Sequence, residues 1–100
     1  MHTFERWRDN LQVAPSVKTV TAMMDDYLDA VAPVIADLPS ECQKALTRPI
    51  DVQAAAVTLL QAELGFKGSP EVAAVLHEVA HTFASAAVRI TALHTKPLAD

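Results

Sequence analysis

Ser69-Pro70-Glu71-Val72-Ala73-Ala74-Val75-Leu76-His77-Glu78-Val79-Ala80-His81-Thr82-Phe83-Ala84-Ser85-Ala86-Ala87-Val88-Arg89-Ile90-Thr91-Ala92-Leu93, residues 69–93, is the stretch on which the fold turns. It opens with a helix-start signal: a serine to cap, a proline at the first helical position and an acid in the first turn. No proline or glycine interrupts the chain between Glu71 and Thr95. Val72, Val75, Leu76, Val79, Phe83, Ala86 and Ile90 recur at three- and four-residue steps, so on a wheel of about 100° per residue they fall on one side. The spacing predicts a long helix running to about Leu93, with Pro97 beyond it.

Working backwards, prolines and glycines cut the rest of the chain into further helices. Asp51 opens one with Val52, Ala56, Leu59 and Leu60 facing inward and Gly65 placed as its terminator. Ser40 and Gln43 form a capping box for a short helix through Ala45 and Leu46, which Pro49 closes. Ser16 caps a longer helix in which Val17, Val20, Met24, Tyr27, Leu28, Val31, Ile35 and Leu38 repeat at helical steps. Pro33 falls inside that pattern and predicts a kink near Asp29 rather than a full stop. Thr3 caps a first short helix carrying Phe4, Trp7 and Leu11 on one face, ended by Pro15.

Composition agrees. Hydrophobic residues make up 51% of the 100 residues and aromatics only 5%, which favours close-packed helices over a sheet. There is no repeat and no linker long enough to divide the chain, so residues 1–100 read as one helical domain. The expected fold is an all-α bundle of about five helices, the second kinked and the last long. The single cysteine, Cys42, rules out an internal disulfide, and a free thiol fits a reducing cytosol. No signal sequence is read at the start, and the apolar stretch from Pro70 to Leu93 contains His77, Glu78, His81 and Arg89, so no membrane span is expected. The chain reads as soluble and cytoplasmic.

The long helix carries one chemically suggestive string, His77-Glu78-Val79-Ala80-His81, which sets two imidazoles one turn apart with a glutamate between them. With its flanks, Val75 to Phe83, it resembles the longer zincin signature. That resemblance implies zinc on His77 and His81 with Glu78 as general base. The departures from it are specific. The metzincin extension would place glycine at 84 and histidine at 87, where the chain has Ala84 and Ala87. The gluzincin pattern needs an acid well downstream, and after His81 only Asp100 qualifies. His94 lies thirteen residues beyond His81, roughly 20 Å along an unbroken helix. A third ligand is therefore missing downstream, no strand is read that could bind extended substrate, and the expectation is no metal, no cofactor and no enzyme. The wheel places His81 opposite the apolar stripe, with His77 beside it and Glu78 and Ser85 on a flank. Ala74, Ala84 and Val88 share this outer face, which is either solvated or packs on another helix or another copy of the chain. His94 falls at the edge of the apolar side and is expected to be partly buried.

The net charge is −4, the wrong sign for phosphate binding. If the last two helices formed a helix-turn-helix, the recognition helix would offer a single Arg89, far from its N-terminus. Arg6 and Arg8 flank Trp7, but Glu5 and Asp9 flank them in turn, so that helix reads as an amphipathic lid. Direct nucleic-acid binding is not expected. The charge is also unevenly spread: residues 19–43 hold Asp25, Asp26, Asp29, Asp37 and Glu41 and no base. Asp25 and Asp29 share a helix face without a lysine to relieve them. These five residues are the candidate partner-binding set, a patch suited to a basic surface. There is no Gly-rich phosphate loop, since Gly65 and Gly68 are the only glycines. Cys42 reads as a packing residue, and Asp25 and Asp26 point apart on a helix, a poor acid-base pair.

A small acidic helical protein of this size resembles, in type, the phage-encoded inhibitors of host defence complexes, anti-CRISPR proteins among them. The resemblance implies an interaction module that docks on a basic, nucleic-acid-handling protein, and no motif assigns a residue by it. Two alternatives follow from the residues: a zinc hydrolase built on His77, Glu78 and His81, and a homo-oligomer or assembly subunit using the outer face of the last helix.

Overall fold

The computed structural model describes residues 3–95, apart from the side chains of residues 3–6 and 8. It contains five helices: α1 (Thr3–Gln12), α2 (Val17–Ile35), α3 (Ser40–Ala45), α4 (Val52–Gly65) and α5 (Pro70–Thr95). No strand occurs among the described residues, and none of their helices is long and apolar enough to cross a membrane. The expected all-α, single-domain architecture is the one found.

α5 is the spine, in contact with α1, α2 and α4, while α3 lies against α4. Leu76, Val79, Phe83, Ala86 and Ile90 of its apolar stripe are buried, and Val72 and Val75 pack at the margin of the core. They meet Leu11 of α1, Val20, Met24, Tyr27 and Val31 of α2, and Ala55, Ala56 and Leu59 of α4. An edge-to-face aromatic chain ties three helices together: Trp7 to Tyr27 at 5.6 Å between centroids, and Tyr27 to Phe83 at 6.2 Å. Arg89 adds a polar tie, its Nε and Nη2 donating to the Ala14 carbonyl at 2.8 and 2.6 Å, which fixes the α1–α2 turn to α5.

The helix starts follow the capping signals. The Ser16 hydroxyl accepts from Thr19 N–H, the Asp51 carboxylate from Ala54 N–H and the Ser69 hydroxyl from Val72 N–H. Two local readings need correction. Ser40 does not cap α3, whose cap residue is Pro39. Gln43 instead donates its side-chain amide to the Ile35 carbonyl. The last turn of α2 has carbonyls to satisfy and no basic residue near them, and this use of Gln43 meets that need. Pro33 does not stop α2, as expected: the helix runs unbroken past Asp29, and Pro33 sits in its last turn, where the missing N–H costs one helical bond and the helix ends two residues later. Gly65 is the last residue of α4 rather than a left-handed terminator. No glycine has a positive φ, and Phe66 leaves the helix extended with its N–H on the Glu63 carbonyl.

The segment between Phe66 and Ser69 reverses the chain, so α4 lies antiparallel to α5. Gln53, near the start of α4, hydrogen-bonds Thr91 near the end of α5, while Glu63, near the end of α4, reaches the second and third turns of α5.

Candidate functional site

His77 and His81 lie one turn apart on α5, outside its buried stripe, and both are exposed. Their rings stack at 4.1 Å between centroids, tilted by 34°. Between them and α4 stands the Glu63 carboxylate. Its Oε1 meets His81 Nε2 at 3.0 Å, and its Oε2 makes a short contact with His77 Nδ1. Glu63 is the most sheltered of the three, its side chain 26% exposed against 57% for His77 and 46% for His81. Burial pushes the Glu63 carboxyl up, but hydrogen bonds and charge from the two histidines outweigh it and hold the group below its ordinary value. An open cavity of about 460 Å³ adjoins the histidines, lined also by Gln12, Glu78, Ala84, Ser85 and Val88. One ligand atom from each of Glu63, His77 and His81 lies within 4.8 Å of the others. Two imidazole nitrogens and a carboxylate oxygen at that separation are the donors a transition-metal ion uses.

The acidic set of α2 and α3 divides in two. The guanidinium of Arg48 lies 2.7 Å from an Asp29 carboxylate oxygen and 3.6 Å from one of Asp25, and its Nη2 also donates to the Asp25 carbonyl at 2.8 Å. Asp25 and Asp29 are therefore relieved by a base after all, one supplied from the loop after α3 instead of from their own helix. Asp26, Asp37 and Glu41 are exposed. Cys42 is fully buried, and burial, with the charge of Glu41, pushes its thiol up, so it is the inert packing residue expected. His94 is exposed, against expectation, although Leu93 beside it packs against the core. The Arg6 and Arg8 side chains lie outside the described residues.

Glu63 and Arg48 are the site residues that sequence reasoning missed. The sequence offers no third ligand downstream of His81, whereas Glu63 lies fourteen residues upstream of His77. The signal was present: a glutamate two residues before Gly65, then a short turn into a capped helix, is what an antiparallel hairpin folds back on itself. No family model, curated protein or solved structure matches this chain.

Proposed function

We propose that the chain works by binding another protein through the outer face of α2, and that the partner presents a basic surface. The observation that carries this reading is the make-up of that face. Asp26, Ala30, Pro33 and Val34 on α2 and Asp37 just beyond its end are all exposed, Val34 by 48%, and residues 19–43 contain no lysine or arginine. Three small apolar residues set among carboxylates have the anatomy of an interface, an apolar centre with a charged rim. Glu41 extends the rim onto α3. Asp25 and Asp29 contribute less than their number suggests, because Arg48 faces them and exposed pairs of this kind are worth little.

Size decides the kind of complex. A helix of 19 residues is about 28 Å long at about 1.5 Å per residue and about 10 Å wide. Its outer face offers on the order of 300 Å², well under the roughly 800 Å² per partner of a stable complex. Charge then matters most for how fast the partner arrives. A protein that itself holds nucleic acid has the complementary surface, and covering it makes this chain an inhibitor of the kind the anti-CRISPR resemblance implies. Asp26→Lys with Asp37→Lys should abolish capture of a basic partner while leaving the helical CD spectrum unchanged, since both side chains are exposed. Capture of the same partner in the same amount by this variant would reject the reading.

A further inference from the structure

We propose that Glu63, His77 and His81 form a binding site for one divalent transition-metal ion of the zinc type, with a coordination position left open to solvent. Two helices supply the ligands: the last turn of α4 gives the carboxylate, and consecutive turns of α5 give His77 Nδ1 and His81 Nε2. With metal–nitrogen bonds of about 2.0–2.1 Å, a tetrahedral ion wants donors about 3.3 Å apart. The three ligand atoms already sit within 4.8 Å of one another. Both imidazoles are exposed, 57% for His77 and 46% for His81, so their rings have room to turn toward a shared ion.

The electrostatics favour a cation. α4 ends beside Glu63 with no basic residue in its last turn, so the partial negative charge of the helix end and a carboxylate coincide. Borderline nitrogen donors with one oxygen select zinc, copper, nickel or cobalt over magnesium and calcium, which require oxygen. Three protein ligands leave room for water or an exogenous group on the side of the 460 Å³ cavity. The third ligand lies upstream and there is no sheet among the described residues, so this centre is not the zincin arrangement. Because the ligands converge only when the hairpin is folded, the ion also clamps α4 to α5.

The test is titration of the full chain, freed of metal with chelator, with Zn²⁺ by calorimetry and with Co²⁺ by visible absorption. The expected result is saturation near one equivalent, d–d bands of a four- or five-coordinate centre, and no displacement by excess Mg²⁺. Glu63→Gln, His77→Ala and His81→Ala should each weaken binding by at least about tenfold, while His94→Ala, at an exposed histidine outside the cluster, should not. CD spectra confirm that each variant is folded. The proposal is overturned if the wild type shows no saturable binding. It is equally overturned if Glu63→Gln binds as tightly as the wild type, which would leave only a surface histidine pair.

Discussion

Removing the Arg89 side chain should cost far more stability than its half-buried position suggests. Two of the three guanidinium nitrogens, Nε and Nη2, donate to the carbonyl of Ala14, a residue only 3% exposed. A hydrogen bond to a charged group is worth about 1.5–3 kcal/mol, and a buried carbonyl left without a partner costs about 1–3 kcal/mol. The two bonds share one acceptor, so they do not add, and Arg89→Ala should lose about 2–3 kcal/mol in all. For a domain of this length about 1 kcal/mol moves the melting temperature by roughly 4–8 °C, so the expected drop is on the order of 10–20 °C. Arg89→Lys keeps the charge and loses the fork, and should fall between the two. Thermal unfolding followed by helical CD reads the effect directly. A drop of less than about 3 °C for Arg89→Ala would mean that water replaces the guanidinium and that α1 is not held to α5 through this contact.

Three further outcomes are expected. Thr82 is fully buried and its hydroxyl has no hydrogen-bond partner among the described residues, so Thr82→Val should leave stability unchanged or raise it by about 1 kcal/mol in urea unfolding. Asp51→Ala removes the N-cap bond to Ala54 and should cost about 0.5–2 kcal/mol, whereas Asp51→Asn should retain most of it. Glu63 titrates below its unfolded value, so its contribution is present above the ordinary carboxylate range and is lost as pH falls through the folded value. Glu63→Gln in chelator should therefore be less stable than the wild type near about pH 6, and the melting curves should converge only once pH has fallen below the ordinary carboxylate range.

Much of the fold was legible because local signals and the global pattern agree. The Ser69-Pro70-Glu71 start, the stripe from Val72 to Ile90 and the Ser16 and Asp51 caps each depend on neighbours three or four residues away. The corrections came where distant elements meet. Gln43 serves the end of α2 instead of its own helix, and Arg48 crosses from the α3–α4 loop to Asp25 and Asp29. The metal ligands show the same limit: His77 and His81 are an i, i+4 pair readable from spacing, but Glu63 joins them only through the antiparallel hairpin. The apolar and acidic mixture on α2 was visible as charge, while the exposure of Ala30, Pro33 and Val34 needed the packing.

The docking reading rests on where the charge lies rather than on how much there is, and one comparison separates the two. Association of the captured partner should be followed by stopped-flow or surface kinetics at low and raised salt for the wild type and two variants. Asp26→Lys with Asp37→Lys reverses the α2 face, and Asp9→Lys with Glu71→Lys makes the same change in net charge at exposed sites on α1 and α5. The account predicts an association rate that falls with salt for the wild type, a loss of at least about tenfold at low salt for the α2 variant, and near-wild-type association for the α1–α5 variant. Equal losses in both variants, or none in either, would contradict it.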